Sequence, residues 1–278
     1  MPHTGRYSGR CKLIVTDIDF TFVGADKALI DRNLKALDAI RRAGIPCAIA
    51  TGRYWPGIRG LVAELGLTTP QVLDNGATII NPADEEVVLS HPLPAEVARL
   101  FHDSFREDGL CPVVGMPRDC YAVDPDDNTV ELMRIHSEYP IPIPDSEIRK
   151  LFGTSVKQTL YVMEEDIPKL RAGVERARAA ANAAHYPYVG FYTEDGIFTI
   201  NAAGVDKLGG IRDLCHVIGC TLEDVLAIGD GDNDAGMLGA CGIGCAVANA
   251  TPAAKEAAST IVASCDNAGF AEAVFSVI

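Results

Sequence analysis

The stretch Leu13-Ile14-Val15-Thr16-Asp17-Ile18-Asp19-Phe20-Thr21 decides how this chain is read. Its apolar opening is a buried strand. The two aspartates that follow it, one residue apart, then lie at the carboxyl edge of a sheet, where open α/β folds bind their ligands. A carboxylate there can attack an electrophile, and a second can donate and accept protons for it. Two carboxylates at close range repel unless a cation lies between them, so the pair implies a metal, and hard oxygen donors point to Mg2+. The competing reading is a turn with two solvated aspartates.

Three further segments decide between the two. Ile45-Pro46-Cys47-Ala48-Ile49-Ala50 is a second buried strand, and it ends in Thr51-Gly52-Arg53. A hydroxyl beside a Gly-exposed backbone N–H suits a phosphate oxygen. Lys207 opens an apolar periodic segment through Leu208, Ile211 and Leu214 and offers a fixed positive charge. Val225-Leu226-Ala227-Ile228 is a third buried strand, running into Gly229-Asp230-Gly231-Asp232-Asn233-Asp234. Four acidic or amide side chains in a Gly-rich loop at a strand end form a site for a hard cation.

Asp-x-Asp, Thr-Gly-Arg, a Lys and Gly-Asp-x-x-Asn-Asp occur here in that order, and together they resemble the haloacid dehalogenase superfamily of phosphatases. The match is to its Cof-type branch, which carries a large α/β (C2-type) cap after the second motif; it covers nearly the whole chain, including Asn75-Gly76-Ala77 ahead of the expected cap. The resemblance implies Mg2+-dependent hydrolysis of a small phosphate monoester, a sugar phosphate or similar metabolite, through an aspartyl-phosphate. In that scheme Asp17 is the nucleophile and Asp19 the general acid/base. Thr51, Gly52, Lys207 and Asn233 hold the phosphoryl group, with Arg53 and Asn75 facing the substrate or bracing the loops. Asp17, the carbonyl of Asp19 and Asp230 bind Mg2+, with Asp234 in direct contact or one layer out. Asp206 and Asp232 read as solvated loop residues.

One residue departs from the pattern. The branch usually has Gly where Phe20 stands. Alternation along an extended segment sends Phe20 away from the site, to pack beneath the loop beside Phe22. The departure keeps open a weakly active phosphate-binding regulatory module, and the resemblance itself also admits a phosphotransferase or mutase of the same superfamily, which shares this cap type.

Composition narrows the classes. Hydrophobic residues make up 48% and charged residues 22% of 278 residues, ordinary values for a globular chain of about two domains. No apolar run reaches membrane-spanning length, and Met1-Pro2-His3-Thr4-Gly5-Arg6 lacks the apolar core of a secretory signal. The nine cysteines are scattered, and Cys241 and Cys245 have no companion pair to make a metal site with them; a reducing cytoplasm is expected. The histidines, His91, His102 and His185 among them, show no ligand spacing. Of the net charge of −14, residues 84–200 carry −10, from 11 Lys+Arg against 21 Asp+Glu. That repels a polyanion, so the expected partner is a small phosphorylated metabolite, with no nucleic acid and no membrane, and the protein a monomer or homodimer.

The expected architecture is α/β: a doubly wound, mostly parallel sheet formed by residues 1–83 and 201–278, with an α+β cap inserted at 84–200. Amphipathic spacing predicts a helix from Ala28 to Ala43, closed by Gly44, and a second over Ile58–Leu65. Short strands flank the Asn75-Gly76 turn. Beyond Pro82 prolines become frequent, and the helix–strand alternation resumes after Asn201-Ala202-Ala203-Gly204. These two joins read as hinges.

Overall fold

Short apolar runs bounded by turn residues build one parallel sheet, and that sheet positions everything else. The computed structural model describes residues 11–24, 26, 28–194 and 196–278. In chain order the first elements are β1 (Leu13–Thr16), α1 (Asp31–Ala43), β2 (Cys47–Ile49), α2 (Trp55–Glu64), β3 (Gln71–Leu73), β4 (Thr78–Ile80) and β5 (Val87–Ser90). Next come α3 (Ala95–Glu107), β6 (Val113–Gly115), β7 (Cys120–Ala122), α4 (Asp127–Ile135), β8 (Ile141–Pro142) and α5 (Asp145–Ile148). Then follow β9 (Lys157–Tyr161), α6 (Ile167–Ala183), β10 (Tyr188–Glu194) and β11 (Ile197–Ala202). The last are α7 (Lys207–Ile218), β12 (Val225–Gly229), α8 (Ala235–Ala240), β13 (Ile243–Val247), α9 (Pro252–Ala257), β14 (Thr260–Val262) and α10 (Gly269–Phe275).

The chain forms two compact units. The first runs to Thr51 and continues with Leu61–Glu86 and Asp206–Ile278; the second consists of Gly52–Gly60 and Val87–Val205. The second unit therefore differs from an insert at 84–200: it begins at Val87, ends at Val205 and also takes in residues 52–60.

The sheet of the first unit has the order β14-β13-β12-β1-β2, and every pairing in it is parallel. Its inner strands are buried throughout, which is why they read as continuous apolar runs rather than alternating ones. β1 lies between β2 and β12, with Thr16 in register with Ile49 on one side and Ile228 on the other. The chain winds outward in both directions from this point, the topological switch at which such folds place ligands. α1 begins three residues later than its periodicity suggests and ends at Gly44, whose left-handed backbone (φ 68°) directs its N–H back to Arg41 and Ile40. α2 starts at Trp55 rather than Ile58, because Pro56 fits the first turn of a helix without losing a bond.

β3 and β4 form an antiparallel hairpin with Leu73 opposite Thr78. Its turn is not a two-residue Asn-Gly turn. Asp74, Asn75 and Gly76 all take positive φ, at 55°, 58° and 97°. A Cβ on Gly76 would stand 2.0 Å from the Asp206 carbonyl oxygen, and one on Gly210 would stand 2.7 Å from Gly76 Cα. Two bare backbones in contact therefore set the start of α7 against the hairpin.

In the second unit six strands follow the order β10-β11-β9-β6-β7-β8, antiparallel except for β7 with β8. Leu93, Phe101, Phe105, Leu170, Val174 and Phe198 belong to its main core. A smaller cluster packs Tyr54 with Val113, Ala122, Met133 and Tyr161, which accounts for residues 52–60 belonging to this unit. Among the described residues no helix is long and apolar enough to cross a membrane, and all nine cysteines are free thiols.

Candidate active site

Asp17 and Asp230 meet because β1 and β12 are neighbours in register; the Asp17 N–H donates to the Ile228 carbonyl at 2.9 Å. Asp234, one short turn further on, joins them. A ligand oxygen of each of the three lies within 4.8 Å of the others. Lys207, the first residue of α7, is buried among them and donates to Asp17 Oδ1 at 2.8 Å and Asp234 Oδ1 at 2.7 Å. The other oxygen of Asp234 accepts the backbone N–H groups of Asp230 and Gly231 at 3.0 and 2.9 Å. Asp234 is thus a strut, joining the loop to the lysine.

Three carboxylates around one ammonium leave an excess of negative charge in a largely dry place. Burial lifts the Asp17 carboxyl well above its usual range; Lys207 opposes this, while Asp234, Asp230 and Asp19 push the same way. Burial likewise raises Asp230, to about 6, against the opposing hydrogen bond from the Thr21 hydroxyl (2.5 Å to Oδ1). For Lys207 burial favours the neutral amine, but Asp17 and Asp234 outweigh it and the group stays charged. The donor set is all oxygen, in numbers that one ammonium does not neutralise. That is the chemistry a hard divalent cation requires, so these residues fit Mg2+.

The Asp19–Thr21 turn departs from expectation. Phe22 and Val23 both donate to the Ile18 carbonyl, at 2.9 and 3.0 Å, so the chain curls directly after Asp19 and strand alternation ends there. Phe20 takes a left-handed backbone (φ 59°) and is 41% exposed. The packing position expected for it belongs instead to Phe22, which is buried edge-on against Phe270 at 4.8 Å. A Gly at this position would adopt the same φ without strain. Asn249 holds the turn in place, its Nδ2 donating to the Phe20 carbonyl at 2.7 Å while its Oδ1 accepts the Cys265 N–H at 2.9 Å. Asp19 itself is half-buried.

Thr51 is buried at the end of β2, its N–H bonded to Val72 O and its carbonyl to Asn75 N–H, both at 3.0 Å. Asn75 is buried too, and its Oδ1 accepts from Asn233 Nδ2 at 3.3 Å, tying the hairpin to the β12 loop. Gly52 and Arg53 belong to the second unit. Arg53 Nη1 lies 3.4 Å from Gly57 O and 3.3 Å from His136 O.

Three residues escaped the sequence reading. Asp206 is exposed, yet its side chain caps α7 by accepting the Gly209 N–H at 2.7 Å; an aspartate directly before an apolar periodic segment is the signal that was available. Thr21 lies inside the quoted motif and bonds Asp230. Asn249 had no sequence signal, because its partners lie in segments distant along the chain.

The family model for haloacid dehalogenase-like hydrolases matches residues 14–274. A phosphoglycolate phosphatase of Methanopyrus kandleri is 29% identical over 251 residues, 90% of each chain. A 5-amino-6-(5-phospho-D-ribitylamino)uracil phosphatase of Bacillus subtilis is 26% identical, covering 93% of this chain and 94% of its own. A crystal structure of a haloacid dehalogenase-like hydrolase from Bacteroides thetaiotaomicron superposes with a TM-score of 0.85 at 27% identity, covering 96% of this chain and all of the other. With the parallel sheet, its inserted unit and the ordered motifs, these similarities place the chain in the haloacid dehalogenase-like hydrolase family, among the phosphatases of its Cof-type branch.

Proposed function

We propose that this phosphatase hydrolyses the monoester of a small phosphorylated metabolite, with sugar phosphates the first class to test, through an aspartyl-phosphate formed on Asp17. The observation that carries the reading is Lys207 held between Asp17 and Asp234, with Asp230 beside them. The names of the two relatives, each a phosphatase of a small metabolite, support the substrate class.

Asp17 Oδ attacks phosphorus in line with the leaving oxygen. Asp19, two residues on and half-buried, protonates that oxygen and then takes a proton from the water that opens the acyl phosphate. Lys207 and the Thr51 hydroxyl hold phosphoryl oxygens, with Asn233 as a further donor braced by Asn75. Charge fixed in advance, rather than recruited from solvent, is the main source of rate in phosphoryl transfer. Asp17, Asp230 and the Asp19 carbonyl would hold Mg2+, which supplies the positive charge that three carboxylates demand; Asp234, its oxygens already engaged, fixes the lysine and the loop. Phosphate release across a panel of phosphorylated metabolites, with chelator and then with Mg2+ restored, tests the reading. Activity that is indifferent to chelator contradicts it.

A further inference from the structure

A second buried ionic cluster lies outside the carboxylate site, entirely within the second unit, and its target is the chain that follows Thr51. Glu138 Oε1 accepts the Tyr54 backbone N–H at 2.8 Å, and Oε2 accepts the Tyr161 hydroxyl at 3.2 Å. Lys157 Nζ donates to the Gly52 carbonyl at 2.5 Å and stands 3.4 Å from the centroid of the Tyr54 ring. The Tyr54 hydroxyl donates to Thr159 Oγ1 at 3.2 Å. Tyr54, Glu138, Lys157 and Thr159 are at most 2% exposed.

The space for this cluster has been cleared. A Cβ on Gly115 would stand 2.5 Å from the Tyr54 ring and 2.9 Å from Lys157 Cγ, and one on Gly57 would stand 2.7 Å from Glu138 Cγ. An apolar pocket would bury the Tyr54 ring as well, and burying charge costs free energy that apolar packing avoids. What the carboxylate and ammonium add is direction. Between them they fix a carbonyl and an N–H two residues apart, which apolar contacts do not do.

We propose that Glu138 and Lys157 are positioning residues: they fix the backbone of Gly52, Arg53 and Tyr54, and through it the orientation of the Thr51 hydroxyl toward phosphate. Thr51 is anchored on its own N–H and carbonyl by Val72 and Asn75, and the carbonyl that Lys157 holds belongs to the residue directly after it. The inference rests on the phosphatase reading above, in which Thr51 binds a phosphoryl oxygen.

The test compares Glu138→Ala, Lys157→Met and Glu138→Gln in the full chain, reading the competitive Ki of inorganic phosphate against hydrolysis of an aryl phosphate. Emission of Trp55, the single tryptophan, reports the segment independently. Glu138→Ala and Lys157→Met are expected to raise Ki about tenfold, the loss of one good hydrogen bond, and to shift Trp55 emission. Glu138→Gln keeps a carbonyl for the Tyr54 N–H and is expected to remain within about threefold of wild type. A purely structural role would lower Tm and leave Ki unchanged in folded protein; that result overturns the proposal. If Glu138→Ala does not fold, Lys157→Met decides alone. A wild-type chain that hydrolyses no phosphate ester instead overturns the phosphatase reading, and this is known before any variant is made.

Discussion

Lys207 Nζ lies 2.8 Å from Oδ1 of Asp17, a residue 190 positions earlier in the chain, and both are buried. Removing the cation leaves carboxylates in a dry site without their partner. Lys207→Met is expected to destabilise the metal-free protein by about 3–5 kcal/mol, the cost of breaking a buried ion pair on one side. Urea unfolding in chelator measures it. Added Mg2+ should recover part of the loss, because it binds the folded carboxylates and not the unfolded chain. A variant as stable as wild type in chelator would contradict the electrostatic account.

Asp19→Asn separates proton transfer from phosphoryl transfer. With an alkyl phosphate, whose leaving group needs a proton, kcat is expected to fall by about two to four orders of magnitude. With an activated aryl phosphate the loss should be much smaller. Equal losses on both substrates would remove Asp19 from the acid/base role.

Much of this was legible in the sequence, for a physical reason. Buried parallel strands read as unbroken apolar runs, and the residues after them sit where the sheet places ligands; Leu13–Val15 and Val225–Ile228 therefore announced both the fold and Asp17, Asp230 and Asp234. Lys207 was legible as a charge opening an apolar helix. Contacts set by tertiary packing were not legible. Nothing local reveals that Tyr54 belongs to the second unit, since Glu138, Lys157 and Gly115 lie 61 to 103 positions away along the sequence. One consequence is practical: deleting 84–200 would take away that socket along with the insert. The alternation argument failed at Phe20 because a turn begins one residue earlier than it assumed.

Phe20 yields a stability test in which the sign is the result. Its ring is substantially exposed and its backbone left-handed, a conformation that costs a non-Gly residue about 1–2 kcal/mol. Phe20→Gly removes that strain at the expense of greater freedom in the unfolded chain. The melting temperature is expected to hold or rise by a few degrees. A loss of about 3 kcal/mol, the cost of deleting a buried ring, would show that the side chain packs.

One acid-sensitive contribution to stability lies in the second unit. His102 is fully buried, with Nε2 3.3 Å from Asp145 Oδ1, and burial holds its pKa below the usual value, against the hydrogen bond it makes to the Asp145 carboxylate. The unfolded histidine titrates near about 6.5. Below that pH the unfolded chain binds a proton that the folded one resists, so stability is full above about pH 6.5 and falls as pH drops. Asp145, whose pKa is lowered by Arg149 and His102, acts in the same direction but only at the acid end of the carboxylate range. The raised carboxyls of Asp17, Asp230 and Glu138 act with the opposite sign over the same range, so the test is a difference. As pH falls from 8 to 5, the unfolding free energy of wild type should drop relative to that of His102→Gln, and a constant gap would contradict the account.

The central claim is that Asp17 becomes phosphorylated. Wild-type protein turning over a phosphate monoester with Mg2+ should be quenched with borohydride, which reduces an acyl phosphate to an alcohol, and the peptides mapped by mass spectrometry. The expected result is homoserine at position 17, absent without substrate and absent from Asp17→Asn, which should be folded and inactive. Reduction at another carboxylate, or full turnover by Asp17→Asn, would contradict the account.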